Sequence, residues 1–402
     1  MSVVVQRRLI DASLVTSLVF VSIGSGLFLP LSLVFFAELT TIPLAALGAI
    51  VGLSGLLALP VPLLVGRLAD RYGARRLVMV AQAAQAIAFV GYMLARGPLD
   101  VFLVSALMAL GGRMFWSTIF AALADHAEAE GKGRQQRWFA IANTARTAGI
   151  AAGGLITGIA LTIPGDATYL TLALCAACCL AISVGLMLPV SRHRSSAASR
   201  AQRRQGLVFR DAQFMALLSI NSVFAISTLL LGLTIPVVIK AALGGPGWLT
   251  SLLLVGNAVL VSIFGVFGAR RASAHSPFRV LGVSALAWAA GCAFLAVAAA
   301  VALPSAAGVL ALAVIAFSLA EVLHAPTSMA VVSDMAPAAA RGNYLAVFQY
   351  SFMAAEIVGP ILFTGLFVAN PSAPFVAVLL LNLVAIPALA VLGRRMSTAQ
   401  ES

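Results

Sequence analysis

Charged residues are scarce in this chain. Of its 402 residues only 9% are Asp, Glu, Lys or Arg, whereas 61% are hydrophobic. An ordinary soluble domain carries roughly 25% charged residues. Apolar stretches recur along the whole length, and many reach the about 18 to 20 residues that cross a bilayer core as a helix. Because the main chain in lipid must satisfy its own hydrogen bonds, we expect helices rather than open strands. The composition excludes a soluble fold and predicts an all-α polytopic membrane protein.

Sequence patterns that carry catalysis or hold a cofactor are also lacking. The chain has no glycine-rich phosphate loop, no H-E-x-x-H pair and no credible Ser–His–Asp set. Its four cysteines fall in apolar stretches, where we expect Cys175 and Cys178 to pack between helices rather than form a redox pair or a metal site. We therefore predict that the protein is not an enzyme and that it uses no cofactor and no metal.

Basic residues give the chain a net charge of +12. Most of them fall in loops that face one side once the apolar stretches are threaded through a membrane. Lys and Arg concentrate in this way in cytoplasmic loops, where they meet anionic lipid head groups. The charge therefore needs no nucleic acid to explain it, and we predict no nucleic-acid partner. We expect both termini on the cytoplasmic side of a bacterial inner (cytoplasmic) membrane.

We predict twelve transmembrane helices in two six-helix halves. The spans cover about 9–37, 44–65, 77–95, 99–123, 139–162, 168–189, 213–239, 249–268, 278–300, 306–332, 344–369 and 375–392. The longest polar stretch, the cytoplasmic loop 190–212, separates an N-terminal half, 1–189, from a C-terminal half, 213–402. Short motifs recur at corresponding places, with LAD ending the fourth span of the first half and VSD ending the fourth span of the second. Two related six-helix halves are a transporter architecture.

The densest cluster of charge lies in the loop between the second and third spans, where residues 66–77 read GRLADRYGARRL. This stretch resembles the G-x-L-a-D-r-x-G-r-[KR]-x-[LI] signature of the major facilitator superfamily, at the loop where that family carries it. The matching positions are Gly66, Asp70, Arg71, Gly73, Arg75 and Arg76. The resemblance implies the major facilitator fold and a cytoplasmic gate. In that gate Asp70 faces the N-terminal end of span eleven, and Arg71 or Arg75 pairs with Asp125 at the end of span four.

Four charged residues fall inside predicted spans: Arg113, Arg146, Glu321 and Glu356. A charge at the bilayer centre costs at least ~2.5–3.5 kcal/mol on insertion scales, so each one calls for a reason. The two arginines either hold helices together, through ion pairs or carbonyl contacts, or line a central cavity. We expect the two glutamates to bind and release protons, and we expect His324, one turn from Glu321, to share its proton.

Short motifs around these charges resemble those of proton-coupled exporters. Arg113 begins the segment RMFWS, which resembles the span-four R-x-x-x-G pattern of proton-coupled members with Ser in place of Gly. There the arginine lies beside the proton-binding acid. The segment from Glu321 to Pro326 resembles the span-ten E-x-x-x-x-P pattern of drug:proton antiporters.

A glycine-rich stretch in span five resembles the antiporter motif g-x-x-x-G-P-x-x-G without its proline, and span eleven has a Gly-Pro pair at the equivalent place. The residues concerned are Gly149, Gly153, Gly154, Gly359 and Pro360. Close packing of helices through small residues explains them equally well.

Further polar and aromatic residues of the spans are candidates for a substrate cavity. They are Asn143, Asn221, Asn257 and Gln349, with Phe115, Trp116 and Phe352 as aromatic walls. Arg113 and Arg146 would suit an anionic substrate, whereas the two glutamates would suit a cation.

The sequence therefore predicts a secondary active transporter that works by alternating access as a monomer, with a small-molecule substrate, protons and membrane lipid as its partners. We expect proton-coupled efflux of small amphipathic or drug-like compounds. The alternatives are proton-coupled uptake or uniport of a sugar, an organic anion or another metabolite, or translocation of a lipid.

Overall fold

The computed structural model of the chain describes residues 3–28, 31–130, 135–163, 165–188, 208–337 and 341–401. Regular structure in these residues is helical throughout, as the composition predicts. The helices are α1 (Val3–Phe28), α2 (Ser32–Leu39), α3 (Leu44–Ser54), α4 (Val61–Tyr72), α5 (Ala74–Leu94), α6 (Pro98–Glu130), α7 (Gln135–Ala160), α8 (Asp166–Met187), α9 (Ala212–Val237), α10 (Gly247–Ser273), α11 (Pro277–Ala298), α12 (Leu303–Met335), α13 (Arg341–Ala369) and α14 (Ala373–Glu401). A 3₁₀ turn, Gly55–Ala58, follows α3, and a π-helical turn, Val238–Ala242, follows α9.

Ten helices in the described residues are long and apolar enough to cross a membrane. They correspond to ten of the twelve predicted spans. The predicted span 44–65 is helical but interrupted, since its apolar part is the shorter segment Leu44–Ala58 and a new helix, α4, begins after Pro60. The predicted span 139–162 falls in α7, which is outside these ten. The count of twelve therefore stays a prediction at these two places.

The first predicted span, 9–37, is divided in the structure. Helix α1 ends at Phe28 and α2 begins at Ser32, and the sequence between them contains Pro30. A proline lacks the amide hydrogen that a continuing helix needs and restricts the residue before it, so an interruption is expected there. The predicted span 9–37 therefore contains two helices, and the apolar segment long enough to cross a membrane is Leu9–Phe28.

Contacts between α-carbons divide the chain into two compact units. The first comprises Met1–Pro43 and Leu53–Arg200. In this unit α1 packs against α7 and α8, and α5 packs against α6 and α8. The α1–α7 contact requires glycine, because a Cβ on Gly149 would lie 2.5 Å from Ser22 Cβ and one on Gly153 would lie 2.4 Å from the Ile23 carbonyl oxygen.

The second unit comprises Leu44–Gly52 and Ala201–Ser402. In this unit α11 packs against α12 and α14, α9 against α13, and α10 against α12. Most of α3 belongs here because Gly48 lies directly on α13, beside Pro360 and Thr364. A buried hydrogen bond from Asn382 Nδ2 to Ser227 Oγ, at 2.8 Å, joins α14 to α9. The contacts of α12 with α10 and α11 place its polar side chains within this unit.

Candidate functional site

Glu321 lies about midway along α12 and is held by a residue of α10. Asn257 Nδ2 donates a hydrogen bond to Glu321 Oε2 at 3.3 Å. The amide itself is oriented by Ser318, whose hydroxyl donates to Asn257 Oδ1 at 2.7 Å. Glu321 and Asn257 are both partly exposed, whereas Ser318 is buried. The structure therefore presents an accessible carboxylate beside an amide whose orientation is fixed by the Ser318 hydroxyl.

His324 lies only one turn further along α12 but makes its contacts inside the helix bundle. Its Nε2 is 2.7 Å from Asn221 Oδ1 on α9, and Asn221 Nδ2 donates to Ser351 Oγ on α13 at 2.7 Å. The imidazole meets the rings of Phe224 and Trp288 edge-on, at centroid distances of 5.4 and 5.0 Å. His324 is 4% exposed and Asn221 is 2% exposed. The hydrogen bond of this Nε2 thus joins α12 to α9 rather than His324 to Glu321.

Three predicted site residues share a stripe on α13. Gln349, Phe352 and Glu356 follow one another at intervals of about one turn, which places them on one side of the helix. Gln349 and Phe352 are partly exposed, and Glu356 is exposed. Ser351, which reaches Asn221, lies on the buried side of the same helix. The accessible stripe and the buried network are therefore separate features of α13.

In the first unit, Arg146 of α7 and Trp116 of α6 form a cation–π pair. The Arg146 Cζ atom lies 5.7 Å from the centroid of the indole ring, and Phe115 meets Trp116 edge-on at 5.4 Å. A cavity beside the pair is closed by apolar residues that include Leu18 and Leu123. Because Trp116 is 45% exposed and Arg146 is exposed, the pair offers a flat aromatic surface next to a fixed positive charge.

Arg113 lies one turn before Trp116 on α6 but is almost entirely buried, at 8% exposure. A buried guanidinium needs polar partners inside its own bundle. Sequence reasoning gave Arg113 and Arg146 the same alternatives, but their surroundings differ. Arg113 is enclosed in the first unit, whereas Arg146 is accessible beside a cavity.

The predicted gate loop is a tight connection between α4 and α5. Gly73 joins the two helices with a φ of +86°, a conformation that favours glycine. Arg75 Nη1 donates to the carbonyl oxygens of Met187 and Leu188, at 3.1 and 2.7 Å. These carbonyls end α8, so a cation there compensates the negative end of the helix dipole.

Of the other gate residues, Arg76 is exposed, and Arg71 lies over the Tyr72 ring at 5.3 Å. The surroundings of Gly66 and the side chains of Asp70, Asp125 and Asn143 lie outside the described part of the chain. The pairing of Asp125 with Arg71 or Arg75, and the position implied for Asp70, therefore remain predictions.

Sequence reasoning missed a partly buried pair in the first unit. His126 Nε2 lies 2.9 Å from Asp11 Oδ1, which connects α6 to α1. The His126 ring is 6% exposed and meets Trp138 of α7 edge-on at 4.7 Å. Because 115 positions separate His126 from Asp11, no local pattern connects them.

The sequence profile of the Major Facilitator Superfamily matches residues 14–273, which is more than half of the chain. The chain belongs to the Major Facilitator Superfamily. No curated protein sequence matches it. The family and the fold point to a multi-pass membrane transporter for a small molecule, rather than to an enzyme.

Solved structures extend the fold assignment over nearly the whole length. The chain is similar to the nucleoside transporter NupG, with a TM-score of 0.77 and 15% identity, over 98% of this chain and 99% of that one. It is also similar to a bacterial homologue of the human lysosomal transporter Spinster in an inward-facing, unoccupied conformation, with a TM-score of 0.73 and 12% identity, over 97% of each chain. A POT family transporter in complex with 5-aminolevulinic acid gives 0.71 and 11%, over 94% of each chain. Identities this low show the fold alone, and they do not select the drug:proton antiporter branch.

Proposed function

We propose that this transporter exports small amphipathic compounds in exchange for protons, with Glu321 as the protonatable group. The observation that carries the proposal is the hydrogen bond from Asn257 on α10 to the accessible carboxylate of Glu321 on α12. An amide donor bonds more strongly to a carboxylate than to a carboxylic acid. A proton taken up by Glu321 therefore weakens a link between two spans.

Pro326 is a point at which α12 can bend when that link weakens. It lies inside the helix, one turn beyond Glu321, and it removes a main-chain hydrogen bond from this part of the span. We propose that protonation of Glu321 and bending of α12 are coupled, so that proton binding and the alternating-access movement depend on each other. Glu356, exposed on α13, is the second candidate for the same role.

We assign contact with the substrate to Trp116 and Arg146. The exposed indole offers a face on which a planar ring stacks, a contact worth about 0.5–1.5 kcal/mol beyond burial. The adjacent guanidinium disfavours cationic compounds at this position and favours a neutral or anionic group. We therefore propose amphipathic substrates with a planar ring and no positive charge near it.

The transporter would act as a monomer in a bacterial inner membrane, with both termini in the cytoplasm.

Proton-coupled uptake of a nucleoside-like metabolite is the second candidate. The likeness to the nucleoside transporter NupG covers nearly all of both chains, and a nucleoside combines a planar ring with hydroxyl groups. The ring would suit the exposed indole of Trp116. The two candidates differ in the direction in which protons move with the substrate.

Everted membrane vesicles without an imposed gradient separate these candidates. Substrate added outside meets the cytoplasmic face, so antiport releases protons and acidifies the medium, whereas symport makes the medium more alkaline. The panel should contain planar neutral, anionic and cationic amphipaths together with nucleosides, and a pH-sensitive dye reads the medium. We expect acidification with planar compounds that lack positive charge.

Variants of this assay test the protonatable group. We expect Glu321→Gln to abolish the proton signal, whereas Asp166→Asn, the same chemical change at an exposed position at the start of α8, keeps it. A full proton signal from Glu321→Gln would remove Glu321 from the mechanism. Substrate that equilibrates with no proton signal in the wild type would establish uniport instead.

A further inference from the structure

A separate cavity of about 670 Å³ lies in the second unit, where α11 begins and α12 and α14 approach their ends. Its members on α12 lie between Val331 and Asp334, about three turns beyond Glu321. This is the end of the unit at which the basic loops predict the cytoplasmic side. A site here is at the level of lipid head groups, outside the site proposed for protons and substrate.

Three charged side chains from three helices line this cavity: Arg279 of α11, Asp334 of α12 and Arg394 of α14. All three are exposed. Within the described part of the chain Arg279 and Asp334 form no ion pair with each other or with a third residue. The first turn of α11 also lacks an acidic residue, so its positive helix end adds to the field of the arginines. The cavity has a cationic mouth with one carboxylate in it.

Apolar residues form the deeper part of the same cavity. Val331 of α12, together with Ile386 and Ala390 of α14, provides an aliphatic wall. Gly282 of α11 faces open space, because a Cβ built on it meets no atom within 4 Å. A charged mouth above an aliphatic groove matches the two parts of a membrane phospholipid, and basic pockets between spans on the cytoplasmic side are suited to lipid head groups.

We propose that this cavity binds a phospholipid with an ethanolamine-type head group. Its phosphodiester lies between Arg279 and Arg394, its ammonium group pairs with Asp334, and an acyl chain runs over Gly282. Asp334 decides between lipid classes, because a purely anionic head group would leave this carboxylate without a partner beside further negative charge. The ethanolamine ammonium supplies the partner that Asp334 lacks within the described residues.

Native mass spectrometry of the purified full-length protein in detergent tests the proposal. Phosphatidylethanolamine and phosphatidylglycerol with identical acyl chains are titrated separately. We expect the wild type to bind the ethanolamine lipid more tightly and Arg279→Gln to weaken both lipids about tenfold, the loss of roughly one charge-assisted contact. Asp334→Asn should remove the preference without weakening the glycerol lipid.

Variants at Gly282 test the groove itself. Gly282→Leu should abolish tight binding of both lipids by filling the groove, whereas Gly282→Ala should keep it. Gly282 lies in the interior of α11, and a side chain there would point into open space. Thermal unfolding in lipid-free detergent should therefore show both variants folded.

Three outcomes would overturn the assignment. Equal or tighter binding of phosphatidylglycerol, unaffected by Asp334→Asn, would mean a basic patch for any anionic lipid. Displacement of lipid by millimolar inorganic phosphate would mean a site for a soluble anion. Undiminished binding to Gly282→Leu would place the lipid elsewhere. None of these results depends on transport, so the proposed function stands or falls separately.

Discussion

Each unit has a histidine that connects two helices and, apart from it, a cluster of accessible side chains, and the two kinds of group differ in what they can do. His324 with Asn221 in the second unit and His126 with Asp11 in the first connect helices within their units, with each histidine at least nine-tenths buried. Glu321 with Asn257, and Arg146 with Trp116, are instead open to solvent or ligand. Two titratable side chains one turn apart on α12, Glu321 and His324, thus differ in their surroundings: the first is partly exposed, and the second is packed inside the bundle.

The two units also differ in the charge they expose. The accessible cluster of the first unit has a permanent cation against an aromatic face, whereas that of the second has a carboxylate that can take up a proton. A guanidinium does not titrate in the physiological range. Under the proposed function, proton exchange belongs to the second unit, and attraction of a planar, uncharged or anionic group belongs to the first.

The largest expected effect concerns the accessible carboxylate. Glu321→Gln should reduce substrate-driven proton movement to background, because an amide cannot exchange a proton, while counterflow exchange of substrate continues. Thermal unfolding in detergent should stay close to wild type, since Gln can still accept from Asn257. If Glu321→Gln lowered both proton movement and thermal stability, the distinction between Glu321 as a functional group and His324 as a packing group would be contradicted.

The buried histidine should behave in the opposite way. His324→Ala leaves the Asn221 carbonyl without its donor and opens a cavity among Phe224 and Trp288, so we expect unfolding to become easier by about 2–4 kcal/mol. His324→Gln, whose amide can donate to the same oxygen, should recover much of that loss. Thermal unfolding in detergent measures both. Unchanged stability together with lost proton coupling would move His324 into the transport mechanism.

The aromatic surface of the first unit should affect recognition and not coupling. Trp116→Ala should weaken the apparent affinity for planar substrates about threefold to tenfold, the loss of one stacking contact, whereas Trp116→Phe keeps most of it. The ratio of protons to substrate should not change. Concentration dependence of the vesicle signal gives the affinity, and an altered ratio would show that Trp116 takes part in coupling.

The smallest effect concerns Tyr344, which precedes the apolar segment Val347–Ala369. Its hydroxyl donates to Asp211 Oδ2 at 2.9 Å, and burial followed by this contact with Asp211 raises the pKa of Tyr344 to about 12. Since the folded state holds this proton more tightly than the unfolded state, the stability it contributes is complete below about pH 10 and is lost as the pH rises to about 12.

Tyr344→Phe isolates that contribution. We expect it to unfold more easily than wild type at neutral pH, by about 1 kcal/mol, and to lose less stability between pH 10 and pH 12. Unfolding in detergent across this range measures both curves. Parallel curves for the two proteins would mean that the hydroxyl is not bound to Asp211 in solution.

The sequence determined the class of protein through quantities that are local. Apolar length predicts a spanning helix wherever it occurs, and the motif at 66–77 predicts the family, because both depend on neighbouring residues alone. Charges inside spans single out Glu321 and Arg146 for the same reason, since the cost of burial is a property of the residue and its span. Apolar length alone did not separate α1 from α2 within the predicted span 9–37.

Tertiary structure decided which of the candidates meet. Asn257 and Glu321 are 64 positions apart, and Asn221 and His324 are 103 apart, so their pairing depends on which helices pack together. Ser318 and Ser351 could not be recognised beforehand, because serine is common in spans and its role depends on the face it occupies. The order of residues fixes which polar and charged side chains fall inside spans, where a side chain without a polar partner costs free energy. Only the packing of the helices settles which partner relieves that cost.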